Sequence, residues 1–147
     1  MIPDLIPDAI GFTGTQDGMR DAQLDEVKDR LYRLYQKGAD WFHHGDCEGA
    51  DEEARSIAGD IGYQIHRHPG IGNKRAGTSF NKTEEPKAYL VRNHDIVDAT
   101  AILIAAPRAK LEQQRSGTWA TVRYARKLGR PIYIVLPDGS SKRENIK

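Results

Sequence analysis

"ADWFHHGDCEGADEEARSIAGDIGYQIHRH" (residues 39–68) reads as strand, helix, strand. "ADWFHH" (39–44) is a short aromatic run. Ala50–Asp60 carries Ala54, Ile57 and Ala58 at helical spacing, and "YQIHRH" (63–68) alternates as a strand does. Between the first strand and the helix lies "HHGDCEGADEEA" (43–54), with two glycines, a lone cysteine and five acidic residues. Such a junction is either a turn that ends a strand or a backbone cradle that holds a ligand against a helix N-terminus.

Working outward, the same alternation recurs. "AIGFTG" (9–14) is a buried strand, and from Arg20 to Lys37 the residues Leu24, Val27, Leu31, Leu34 and Tyr35 mark a helix closed by Gly38. Residues 69–85 form a long Gly-rich polar loop, of a length usually found in functional or mobile segments. Pro86 suits the first turn of a helix through "KAYLVRNHDIVDA" (87–99). "TAILIAA" (100–106) is the best central parallel strand. A polar loop, "PRAKLEQQR", leads to a helix that Ser116 or Thr118 caps and Gly129 ends. "PIYIVLP" (131–137) is the last strand, and 138–147 read as a polar tail. The order predicts one α/β Rossmann-like domain over residues 1–147, a parallel sheet of about five or more strands with helices on both faces.

Composition narrows the partners. With 147 residues, 38% hydrophobic and 29% charged, the chain is large enough to bury a core. Its 22 basic and 21 acidic residues nearly cancel, which removes the electrostatic case for a broad nucleic-acid surface. A single cysteine, no signal-like start and no apolar run near the roughly 18 residues of a membrane span lead to the expectation of a cytoplasmic protein without a membrane partner.

Ligands of open α/β sheets bind beyond the carboxyl ends of the strands. Three junctions there share small residues, hydroxyls and free amides: "GFTGTQDG", "HGDCEGAD" and "QRSGTWAT". They suit a phosphate or ribose-phosphate. The candidate ligand-binding residues are Thr13, Gly14, Thr15, Gly45, Asp46, Gly49, Ala50, Asp51, Arg92, Asn93, Ser116, Gly117 and Thr118. Asp51 is read either as a ribose or base contact or as a helix cap, and Arg92 as a phosphate clamp or a paired helix charge. Trp119 is either a core residue or a platform for a base. Cys47 lacks the His and Asx partners of a nucleophile. His43, His44, Asp46, Cys47, His66 and His68 can be assembled into a zinc site on paper, but no paired ligand spacing exists elsewhere, so no metal and no cofactor are expected.

"HGDCEGADEEARSIAGDIGY" (44–63) resembles the G-x-x-x-G-x-D segment of the SLOG superfamily of Rossmann-like proteins. "YLVRNHDIVDATAILIAAP" and "SGTWATVRYARKLGRPIYIV" are similar to its R-N helix and its S-G-[ST] stretch. The superfamily includes the DNA-processing protein A family, the Lonely Guy phosphoribohydrolases and the YspA-like proteins. The resemblance is nearest to the YspA-like branch. It implies nucleotide binding and a homo-oligomer, most simply a homodimer. Lonely Guy enzymes carry a glutamate in P-G-G-x-G-T-x-x-E, and here that position is Thr121. A threonine hydroxyl does not replace a carboxylate in glycosidic cleavage.

The expectation is therefore a protein that binds a nucleotide or nucleotide-derived small molecule, such as a signalling nucleotide it senses or sequesters, without turnover. The first alternative is an N-glycosidase acting on a nucleoside monophosphate, with Glu84, Glu85 or Glu112 supplying the carboxylate. The second is a single-stranded DNA-binding accessory protein using Arg115, Arg123, Arg126 and Lys127.

Overall fold

The computed structural model describes residues 8–72 and 74–146; Met1–Pro7, Asn73 and Lys147, which the single-domain expectation includes, lie outside it. In chain order the elements are β1 (Ala9–Gly14), α1 (Asp21–Gln36), β2 (Trp41–His44), α2 (Ala50–Ile61), β3 (Gln64–Arg67), β4 (Lys82–Thr83), α3 (Tyr89–Asp98), β5 (Ile102–Ala106), α4 (Gly117–Lys127), β6 (Ile132–Val135) and β7 (Ser141–Glu144). One sheet runs in the order β4-β3-β2-β1-β5-β6-β7. All neighbours are parallel except β6 and β7. The chain thus steps outward from β1 to β4, then returns to the other side of β1 with β5. That reversal, between β1 and β5, is where a parallel sheet opens a crevice.

Alternation along the strands separates two cores. Ile10, Phe12, Phe42, Ile65 and Ile104 face Val27, Leu31 and Leu34 of α1 and the alanines 50, 54 and 58 of α2. Leu103, Ala105, Ile132 and Ile134 face Val97 of α3 and Trp119, Val122 and Ala125 of α4. Small residues on α2 let that helix lie close on the sheet. Buried Gln23 of α1 donates to the carbonyls of Pro107 and Val135, both 2.9 Å away, and ties α1 to the carboxyl ends of β5 and β6. No helix among the described residues is long and apolar enough to cross a membrane.

Two expected boundaries shift. The helix read from Pro86 begins at Tyr89, because Lys87 is engaged in extended pairing: its N–H donates to Pro69 and its carbonyl accepts from Ile71. The polar tail is not loose. After a turn at Asp138–Ser140, where the Asp138 carboxylate accepts from the Ser140 N–H, residues 141–144 pair antiparallel with β6, and Arg126 grips Glu144 through two nitrogens. The long loop likewise contributes the edge strand β4.

Candidate functional site

The loop after β1, the turn after β2, the inward side of α3 and the start of α4 surround one cleft of about 480 Å³ at the carboxyl edge of the sheet. Its lining includes Thr13, Gly14, Thr15, Gly45, Asp51, Arg92, Asn93, Ser116, Gly117 and Thr118. Gln16, Asp17, Arg108 and Gln113 join them, as do Cys47 and Arg115, which the sequence offered only for other roles. The signal for Arg108 and Arg115 was weak, since both lie in polar loop with no periodicity to orient them.

Three expected residues, Asp46, Gly49 and Ala50, are not in the lining, and each has an internal task. Asp46 is fully buried with φ of 55° and accepts hydrogen bonds from the Gly77 N–H (3.2 Å) and from the N–H (2.9 Å) and hydroxyl (2.7 Å) of Thr78. Arg67 lies 3.5 Å from the same carboxylate. Asp46 thereby anchors the long 69–85 loop. Gly49 has φ of 87°, and a Cβ there would collide with the Gln16 carbonyl. That close approach lets the Ala50 N–H donate to the Thr15 carbonyl at 2.9 Å. The first amide of α2 is therefore spent on the β1 loop.

The start of α4 differs. Ser116 caps it, its hydroxyl accepting from the Trp119 N–H at 3.2 Å. Among the described residues, nothing pairs with the amides of Gly117 and Thr118, and a Cβ on Gly117 would meet open space. Two unpaired N–H groups at the positive end of a helix, facing a cleft, form an anion-binding arrangement. Trp119, in contrast, is 2% exposed within the α4 core and presents no face to a base.

Arg92 is buried, and its guanidinium spans three segments. Nη1 donates to the carbonyls of Gly45 (2.6 Å) and His68 (3.3 Å), Nε to the Asn93 side chain (2.7 Å) and Nη2 to the Cys47 sulfur (3.5 Å). One N–H remains for the cleft, so the arginine read as a bidentate phosphate clamp is first a cross-link. Asp51 faces it from α2. Its Oδ2 accepts from the N–H groups of Gly45 (3.1 Å) and Cys47 (3.2 Å), which folds the turn after β2 onto the helix. Burial pushes its carboxyl up to about 6, with Arg92 and the two N–H donors holding it from rising further. Burial, with Asp51 nearby, also raises the Cys47 thiol, which leaves it protonated and unsuited to nucleophilic attack.

Glu84, Glu85 and Glu112, the carboxylates named for hydrolysis, do not line this cleft. Glu84 bonds His66 at 2.7 Å, and Glu112 pairs with Arg123 and Arg126. Thr121 is 1% exposed and donates to the Gly117 carbonyl at 2.9 Å. On the α3 side of the sheet, away from this cleft, parallel register sets His43 beside His66, and His68 follows two residues on. His44 points to the opposite face, against Phe42. Desolvation lowers His43, His44 and His68 to about 3.

No family model and no curated protein matches the sequence. Solved structures do match the fold. The molybdenum cofactor binding protein from the phototrophic bacterium Rippkaea orientalis superposes with a TM-score of 0.68 at 16% identity, covering 87% of this chain and 76% of its own. The molybdenum cofactor carrier protein from Chlamydomonas reinhardtii gives 0.61 at 18%, covering 86% and 74%. DNA processing protein A from Helicobacter pylori gives 0.60 at 15%, covering 86% and 64%. The likeness extends over most of the chain, which has the mostly parallel α/β, Rossmann-like fold of these structures.

Proposed function

We propose that the protein binds a phosphate-bearing, nucleotide-derived small molecule in the cleft between β1 and β5. The observation that carries this reading is the pair of unpartnered amides at Gly117 and Thr118, set opposite the Thr13–Thr15 loop with Arg108 and Arg115 at the rim. Amides and a helix dipole hold the phosphate, and the remaining volume takes the rest of the molecule. That similar folds serve a molybdenum cofactor binding protein and a carrier protein supports cargo or signal binding without turnover. Hydrolysis is disfavoured because Glu84, Glu85 and Glu112 do not line the cleft, Glu84 and Glu112 being paired elsewhere. A DNA role, supported by the likeness to DNA processing protein A, is weakened by the pairing of Arg123 and Arg126 with Glu112 and of Arg126 with Glu144.

The test uses Gly117, whose Cβ position is open and whose φ is ordinary. Gly117→Val should leave the unfolding midpoint near that of the wild type while shielding the amides. Calorimetry with adenosine and guanosine 5′-monophosphate should then show affinity reduced about tenfold or more, the loss of a charge-assisted contact. Unchanged affinity for a nucleotide that the wild type binds would remove the α4 amides from the site. Release of free base by the wild type would overturn the binding-only reading. The same proposal includes a cytoplasmic homodimer, for which Tyr89, Leu90 and Val91 give α3 an exposed apolar face. A monomer by light scattering at micromolar concentration would exclude it.

A further inference from the structure

The histidines on the α3 face of the sheet are arranged as no packing need explains. One ring nitrogen from each of His43, His66 and His68 lies within 4.8 Å of those of the other two. The ring centroids are 4.4, 5.1 and 4.5 Å apart, and all three residues are buried. His43 Nδ1 and His68 Nε2 lie at hydrogen-bond distance, 2.8 Å, while the buried His68 Nδ1 has no hydrogen-bond partner among the described residues. A core could fill this volume with apolar side chains at no such cost, since an orphaned buried polar atom is destabilising.

We propose that His43, His66 and His68 bind one divalent transition-metal ion of the zinc class, with Glu84 as the adjoining carboxylate. Three imidazoles suit zinc, cobalt or nickel, and not magnesium or calcium, which take oxygen sets; Glu84 supports the site through His66. At bond lengths of about 2.0–2.1 Å, tetrahedral ligand nitrogens stand roughly 3.3 Å apart, so modest side-chain rotation closes the present spacing. The strands fix the rest: His43 and His66 are register partners, and His66 and His68 share one face of β3 and its extension. Glu84 Oε2 is 2.7 Å from His66 Nε2, the carboxylate–imidazole pairing that accompanies histidine metal sites. Beside the cluster a separate hollow of about 310 Å³, lined also by Asp95 and Asp98, gives an ion a path from solvent and negative charge along it. Lys87, at its edge, is already paired with Asp95 at 2.8 Å.

The test takes tag-free full-length protein, dialysed against a chelator, and titrates it with Zn²⁺ by calorimetry and Co²⁺ by visible absorption. The expected result is one ion per chain with a submicromolar dissociation constant, and Co²⁺ bands of a low-coordinate nitrogen-ligated site. His66→Ala and His68→Ala should each weaken binding more than a hundredfold, and Glu84→Gln by about tenfold. His94→Ala, an exposed histidine on α3, should bind as the wild type does. The Co²⁺ spectrum needs no variant, so a histidine substitution that unfolds leaves the proposal open to refutation. Substoichiometric uptake, a spectrum of an oxygen-coordinated octahedral ion, or full affinity in folded His66→Ala would overturn it.

Discussion

Truncating Arg92 would strand the buried carbonyls of Gly45 and His68, which its Nη1 now satisfies. Each unsatisfied buried acceptor costs about 1–3 kcal/mol, so Arg92→Ala should lose about 2–4 kcal/mol of folding stability in urea titrations. Arg92→Lys should recover less than half, because a point ammonium cannot span the same acceptors. Wild-type stability in Arg92→Ala would refute the cross-link. Asp51 makes a second prediction, through pH. Its folded value of about 6 lies above the 3.8 of a free aspartate, so between those values the native state holds a proton that the unfolded chain has released. Its contribution to stability is therefore full in acid and is lost as pH rises through 6, at up to about 1.4 kcal/mol per pH unit. Asp51→Asn removes that dependence. The stability difference between variant and wild type should shift in the variant's favour from pH 4 to pH 7, and parallel curves would show Asp51 to titrate ordinarily.

At the scale of elements, the turn between β2 and α2 is where local sequence and tertiary contact meet. Gly49→Ala sets a methyl against the Gln16 carbonyl in a left-handed backbone. The turn must move, breaking the Ala50-to-Thr15 hydrogen bond, and a loss of about 2 kcal/mol or more in thermal or urea unfolding is expected. A neutral outcome would mean that the β1 loop yields freely. The four helices and five central strands were legible because each carries its own periodicity, from Val27, Leu31 and Leu34 in α1 to the apolar run of β5. The edge strands β4 and β7 were not. Lys82–Thr83 and Ser141–Glu144 are exposed and polar, and their strand character comes from the neighbouring edge rather than from their own residues. Likewise the start of α3 was set by pairing between 69–71 and 87, which no local signal at Pro86 reveals.

For the molecule as a whole, the cleft was readable from topology: strand-end loops of a parallel sheet point one way, so Thr13 and Gly117 become neighbours across a hundred residues of chain. The roles of Asp46 and Arg92 were hidden, because the same polar residue can face a ligand or a backbone and only three-dimensional packing decides which. The histidine cluster was legible only as part of a wider set that included His44, Asp46 and Cys47, since ligand spacing along the sequence does not record register across strands. The cleft joins the two halves of the sheet at the β1–β5 reversal, with the β1 loop from one half and the α4 start from the other. A ligand held there bridges them. It stabilises the native state by about 2.7 kcal/mol at a hundredfold excess over its dissociation constant, and that gain belongs to both walls. With adenosine or guanosine 5′-monophosphate bound, hydrogen exchange should slow together in residues 13–17 and 113–119, while β7 and the exposed face of α1 stay unchanged. Because the amides of Gly117 and Thr118 have no acceptors among the described residues, they should show the largest gain in protection. Protection confined to one wall would place the nucleotide on a single loop and contradict a ligand that spans the reversal.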